Sequence, residues 1–134
     1  MLRSVWRDYY KFCVERNPWD KTLSGYHMAR AGKGGSLDFD AYLRTHKLHV
    51  DHPLYVDRQG RLLVDAVLRY ERLNDELRTE LGKLGIPFGG TLDIHAKSDY
   101  RTDRRHYREV YSPEQRDVVA RAFAFEIGLF GYEY

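Results

Sequence analysis

Lys11-Phe12-Cys13-Val14-Glu15-Arg16-Asn17-Pro18-Trp19-Asp20-Lys21-Thr22-Leu23-Ser24-Gly25-Tyr26 is the stretch on which the fold turns. Phe12 and Val14 alternate with Lys11, Cys13 and Glu15, which predicts a short strand. A helix comes at once: Asn17 is a good N-cap, Pro18 suits the first helical position, and Asp20 complements the positive end of the helix dipole. Trp19, Leu23, Tyr26 and Ala29 or Arg30 recur at helical spacing until Gly32 ends the run.

Downstream of this unit, Gly32 to Gly35 reads as a flexible break, and Ser36 as the cap of a second helix carrying Leu37, Phe39, Tyr42 and Leu43. Leu54–Val56 and Leu62–Val64 flank Asp57-Arg58-Gln59-Gly60, a pattern that predicts a β-hairpin. Ala66 to Tyr70 reads as a buried strand. Leu73, Leu77, Leu81 and Leu84 form one apolar helix face, ended by Gly85 and Pro87. A charged, glycine-flanked loop runs from Phe88 to about Tyr111, and Ser112-Pro113-Glu114-Gln115 opens a last helix whose Val118, Val119, Ala122, Phe123 and Ile127 face the core. Strands interleaved with helices predict an α/β fold of one domain over residues 1–134.

Composition limits the function classes. The chain has 134 residues, 43% hydrophobic and 31% charged, enough to bury a core without disulfides or metal. Cys13 is the one cysteine and cannot form an internal bridge, which fits a reduced cytoplasmic setting. No apolar run approaches the ~20 residues that cross a bilayer, and the N-terminus lacks a signal-peptide segment. A net charge of +2 is too small to argue for nucleic acid by bulk electrostatics.

Chemistry concentrates where the first strand becomes a helix. Arg16 stands there, beside a helix start expected to offer unpaired N–H groups, and its planar fork matches phosphate oxygens. Ser24 lies eight residues on, about 12 Å along a helix axis, so a bulky anion with an attached group could bridge the two. The competing reading pairs Arg16 with Glu15 or Asp20 and leaves Ser24 idle.

Taken together, Tyr10 to Lys21 with Ser24 and Tyr26 resembles the 3'-phosphate-binding segment of sulfotransferases that use 3'-phosphoadenosine 5'-phosphosulfate. In that family an Arg ahead of Asn-Pro or Asp-Pro and a Ser eight residues later hold the 3'-phosphate, which implies Arg16 and Ser24 here. Val67-Leu68-Arg69-Tyr70-Glu71-Arg72-Leu73 is similar to the family's strand-to-helix segment, where an aromatic approaches the adenine; the resemblance implies Tyr70 for that contact. Lys97-Ser98-x-x-Arg101, Tyr107 to Pro113 and Glu126-Ile127-x-x-Phe130-Gly131-Tyr132 resemble the C-terminal half of the bacterial and phage-type members. The similarity runs in order along nearly the whole chain. It implies a partial three-layer fold related to the P-loop NTPases, with a short parallel sheet, flanking helices and a β-hairpin. It also implies 3'-phosphoadenosine 5'-phosphosulfate as co-substrate and a hydroxyl acceptor, with carbohydrate the first expectation for that acceptor.

Family members open with a strand, a Gly-rich loop and a helix that cradle the 5'-phosphosulfate. The matching segments of this chain all belong to the part of the family fold beyond that loop. The resemblance therefore implies half of a cofactor site and no sulfate transfer by the chain alone. Gly32-Lys33-Gly34-Gly35-Ser36 comes after a helix, not a strand, and reads as a linker.

Other clusters invite other chemistries. His46, His49 and His52 are three residues apart, a spacing open to a metal or a catalytic base, but Asp51 and Pro53 mark a fraying helix end, so solvated or capping histidines are the default and no metal is expected. Lys97, Arg101, Arg104, Arg105 and Arg108 outnumber Asp99 and Asp103 in a loop that also carries Tyr100 and Tyr107. The loop is either solvated with internal ion pairs or an anion site; the resemblance implies the 3'-phosphate, with Lys97 and Arg101 foremost, and nucleic acid is the outlying alternative. A further alternative is a non-catalytic nucleotide-binding or structural protein. Trp6, Tyr9 and Tyr10 are candidates for packing on a second chain or a second copy.

Overall fold

Strand β1 (Phe12–Glu15) lies parallel to β2 (Ala66–Arg69), with Phe12 opposite Ala66, Cys13 opposite Val67, Val14 opposite Leu68 and Glu15 opposite Arg69. The ladder is fastened at its start by Lys11 and Asp65: the Lys11 N–H donates to Asp65 Oδ2 at 2.7 Å, Asp65 N–H donates to the Lys11 carbonyl at 2.7 Å, and the side chains pair at 3.3 Å. The computed structural model describes residues 3–90, 92, 101 and 103–134. Among these the chain is mixed α/β and divides into two compact units, one from the described residues of Met1–Arg16 and Asp51–Leu92, the other from those of Asn17–Val50 and Asp93–Tyr134.

The first unit holds the two-stranded sheet, α1 (Arg3–Asp8) and α4 (Leu73–Lys83). Helix α1 is too short and too poor in apolar periodicity to read from sequence, and none of its described residues is buried. The β-hairpin expected over Leu54–Val56 and Leu62–Val64 is not formed as such. Its turn is present, with Asp57 Oδ1 accepting from the N–H groups of Gln59 and Arg61 and Gly60 at φ 79°. However, Pro53 winds His52–Leu54 into a 3-10 turn, so pairing is limited to a single antiparallel bridge, Val56 to Leu62. The α4 leucine face is also less buried than expected: Leu73, Leu77 and Leu81 are half-buried and Leu84 is exposed.

The second unit holds α2 (Pro18–Gly32), α3 (Phe39–Thr45), α5 (Pro113–Ala122) and α6 (Ala124–Phe130). Its core gathers Trp19, Leu23, Tyr26, Phe39, Tyr42, Val119 and Phe123. Helix α2 buries Trp19, Thr22, Leu23, Tyr26 and His27, one stripe at i, i+3 and i+4 spacing. The polar tips of its aromatics are satisfied: Tyr26 Oη donates to the Leu37 carbonyl at 2.9 Å, and Trp19 Nε1 to the Arg116 carbonyl at 3.1 Å. The sequence places the cap of α3 at Ser36, but the structure places it at Asp38, whose Oδ1 accepts from Ala41 N–H at 2.7 Å. Ser36 is engaged elsewhere, with its hydroxyl donating to the Lys33 carbonyl. At the start of α5, Ser112 and Gln115 form the reciprocal capping box their spacing predicts, and the helix expected to run on to Ile127 is divided at Phe123 into α5 and α6.

Candidate functional site

The ends of the two parallel strands build the site. Because Glu15 and Arg69 are register partners, the next residues along the chain, Arg16 and Tyr70, leave the ladder side by side. Tyr70 turns immediately into a 3-10 segment, and its ring receives the Arg16 guanidinium, whose central carbon stands 4.6 Å from the ring centroid. A cation over a phenol ring contributes about 0.5–1 kcal/mol where exposed. In open α/β sheets the carboxyl ends of parallel strands are where ligands sit.

Both strand ends are anchored from behind. Glu15 is 2% exposed, and Tyr55, itself 4% exposed, donates its hydroxyl to Glu15 Oε1 at 2.9 Å. On β2 the Arg69 N–H donates to Glu76 Oε2, and Arg72 reaches the other oxygen of the same carboxylate. Burial, together with Glu15 and Asp51, pushes the Cys13 thiol up to about 11, which favours its protonated form near neutrality. Sequence reading does not single out Glu15, Tyr55 or Glu76. A glutamate ending a strand of otherwise apolar alternation is the one local signal that points to any of them.

Ser24 and Arg101 belong to the second unit. Ser24 is half-buried on α2, on the face shared by Asp20 and His27, one turn to either side. Arg101 is held against that face, with Nη1 donating to Asp20 Oδ1 at 3.1 Å, Nε to the Asp103 carbonyl at 3.0 Å and Nη2 to the Arg105 carbonyl at 2.7 Å. Asp103 in turn takes a bidentate hydrogen bond from Arg105, which holds its carboxyl well below the usual range. Burial, aided by Arg101, holds His27 below the ordinary imidazole range. Lys97 lies outside the described residues.

One sequence expectation about anion binding is corrected by hydrogen bonding. The start of α2 does not offer unpaired N–H groups: Pro18 has none, Asn17 Oδ1 accepts from Trp19 and Asp20 N–H at 3.1 and 3.3 Å, and the Asn17 carbonyl accepts from Lys21 N–H. The glycine cluster, read from the sequence as a linker, closes α2: the N–H groups of Lys33, Gly34 and Gly35 donate to carbonyls of Arg30 and Ala31.

His46 and His49 fall in the second unit and His52 in the first. His46 stacks on Tyr42 with centroids 4.8 Å apart and meets Thr45 Oγ1 through Nδ1, and His52 opens a 3-10 turn in the other unit. Among the described residues no group of three His, Cys, Asp or Glu side chains is placed to hold a metal. Trp6 and Tyr9 are 52% and 68% exposed and, with Val5 and Lys11, line an apolar groove of about 300 Å³. Tyr10 instead donates to Glu80, which pushes its phenol up to about 12. No described helix is long and apolar enough to cross a membrane.

No family model and no solved structure matches the chain. It is similar to an uncharacterized protein of Archaeoglobus fulgidus, 30% identical over 102 residues that span 72% of this chain and 85% of the archaeal protein. With that identity carried over most of both proteins, the chain belongs to the same family as the archaeal protein.

Proposed function

We propose that this chain binds 3'-phosphoadenosine nucleotides, with Arg16 on the 3'-phosphate and Tyr70 against the adenine, and that it serves sulfuryl transfer from 3'-phosphoadenosine 5'-phosphosulfate to a hydroxyl acceptor, a carbohydrate in the first instance. The observation that carries the reading is the Arg16 guanidinium stacked on Tyr70 at the carboxyl ends of two parallel strands. A charged fork and an aromatic face side by side are the two elements that a phosphorylated nucleoside requires. The resemblance assigns Ser24, Lys97 and Arg101 to the nucleotide as well; the supporting geometry is that of Arg16 and Tyr70.

Sulfuryl transfer, like phosphoryl transfer, gains most from fixed donors aimed at the oxygens where charge develops. Among the described residues no glycine cluster comes directly after a strand, and the N–H groups of Lys33, Gly34 and Gly35 are donated back to their own helix. In this reading the described residues recognise the 3' side of the nucleotide, and a further segment or a second chain supplies the donors for the 5'-phosphosulfate. The alternative of nucleic-acid binding through residues 97–108 is weakened by the engagement of Arg101 and Arg105 with Asp20 and Asp103.

Calorimetric titration with 3'-phosphoadenosine 5'-phosphate and with adenosine 5'-phosphate tests the reading. The 3'-phosphorylated nucleotide should bind more tightly, and Arg16→Ala should weaken it by about 1.5–3 kcal/mol, roughly ten- to a hundredfold. Equal binding of the two nucleotides, or unchanged affinity in Arg16→Ala, overturns it.

A further inference from the structure

We propose that Glu15 and Tyr55 form a positioning pair: their buried hydrogen bond fixes the end of β1 so that Arg16 stands over Tyr70, and it thereby sets the preference for a 3'-phosphorylated nucleotide. The inference rests on the nucleotide reading above. A carboxylate is costly to bury, and the end of a strand needs only an apolar residue to pack. Glu15 is nevertheless 2% exposed, and it accepts a charge-assisted hydrogen bond from a tyrosine that is itself buried.

Tyr55 is a firm anchor. Its N–H donates to the His52 carbonyl at 3.1 Å and its carbonyl accepts from Leu63 N–H at 2.8 Å, so both sides of its backbone are tied into the bridged turn. A two-stranded parallel ladder has little rigidity of its own, and its final residue is where fraying starts. At the end of this ladder Glu15 opposes Arg69, and the next residue on each strand is a member of the Arg16–Tyr70 pair. In this proposal the Glu15 carboxylate, held inside by Tyr55, acts on a ligand through the position it gives Arg16. A side chain held in its binding geometry before the ligand arrives avoids the ordering cost that a loose one incurs.

The test compares Tyr55→Phe with the unmodified chain by calorimetry, using 3'-phosphoadenosine 5'-phosphate and adenosine 5'-phosphate, with a melting curve as the check on folding. The expected result is a loss of about tenfold in the ratio of the two affinities, the lower edge of the roughly ten- to hundredfold expected when Arg16 itself is removed. Affinity for adenosine 5'-phosphate should stay within about twofold, and in an Arg16→Ala background Tyr55→Phe should leave the ratio unchanged, because its effect passes through Arg16. If Tyr55→Phe does not fold, Glu15→Asp, which withdraws the carboxylate from Tyr55 by one methylene, takes its place with the same expectation. An unchanged ratio in the folded variant overturns the inference, as does a loss that persists without Arg16. An unmodified chain that binds both nucleotides equally overturns the nucleotide reading first and this inference with it, before any variant at residue 55 is made.

Discussion

The two units of this chain spend their hydrophobic residues differently. In the second, Trp19, Leu23, Tyr26, Leu37, Phe39, Tyr42, Tyr107, Val119, Phe123 and Tyr132 are buried together, and among its described residues Met28 and Leu129 are the exposed large apolar side chains. In the first, Tyr55 and Leu68 are the buried hydrophobic residues among those described, while Trp6, Tyr9, Phe12, Val14, Leu54 and Leu63 are among those exposed. Helix starts divide less cleanly: in the second unit Asn17, Asp38 and Ser112 cap α2, α3 and α5 with side chains while α6 starts at Phe123 without one, and in the first unit α4 starts at Arg72 without a side-chain cap. One unit is held by packing, and the other by polar fastenings: Lys11 to Asp65, Glu15 to Tyr55, Arg69 to Glu76. The residues proposed to bind the nucleotide, Arg16 and Tyr70, stand in the polar-fastened unit.

If packing holds the second unit, truncating its centre should be severe. Phe123 is 1% exposed, and Phe123→Ala should cost about 3–5 kcal/mol, a large share of the roughly 5–15 kcal/mol that a typical domain has. Phe12→Ala, at a ring 46% exposed, should stay within about 0.5 kcal/mol. Urea unfolding of the two variants measures both. Comparable losses would erase the contrast between the units.

Protons should also distinguish them. His27 is buried in the second unit, and its pKa is lowered by burial first and by Arg101 second; Arg30 and Arg104 act the same way and Asp103 opposes. A folded pKa below the unfolded value of about 6.5 means that the unfolded chain binds the proton more readily, so stability is intact above that pH and falls as pH drops through it towards the folded pKa. His27→Leu removes the titration, and chemical unfolding of that variant should show a smaller loss between about pH 7 and pH 5 than the unmodified chain. An identical pH dependence in the two proteins would place the proton-sensitive stability elsewhere.

The same division explains what is legible in the sequence. Asn17-Pro18, Ser112-Pro113 and the stripe along α2 are local signals, with cap, first-turn residue and periodic face within a few positions of one another, and the structure has them where the sequence puts them. The first unit is assembled from distant partners. The parallel match of β1 with β2, the bond from Tyr55 to Glu15 and the clasp of Glu76 on Arg69 depend on chain closure that no local pattern specifies. The candidate site shows both cases: Arg16 and Tyr70 are each identifiable from their own segments, but their stacking, and the buried carboxylate behind Arg16, exist only once the strands are in register. The hairpin departs from expectation for a related reason. Its turn residues do form the turn, yet the 3-10 winding at Pro53 takes away the strand on one side.

The smallest expected effect concerns the second unit's helix caps. Ser36 and Asp38 are both good capping residues two positions apart, and sequence alone favours Ser36 because it comes directly after the glycine break. The structure selects Asp38, with extended backbone at φ −88° and ψ 164° and a carboxylate 2.7 Å from Ala41 N–H, near the positive end of the α3 dipole. Removing that cap leaves a first-turn donor without its side-chain partner, so Asp38→Ala should cost about 1 kcal/mol. Ser36→Ala loses only an exposed hydrogen bond from its hydroxyl to the Lys33 carbonyl and should cost less than about 0.5 kcal/mol. Matched urea titrations resolve the difference, provided the denaturant slope is the same for both. If Ser36→Ala proves the more damaging, α3 starts earlier than Phe39, and side-chain capping at Asp38 no longer counts among the features that set the second unit apart from the first.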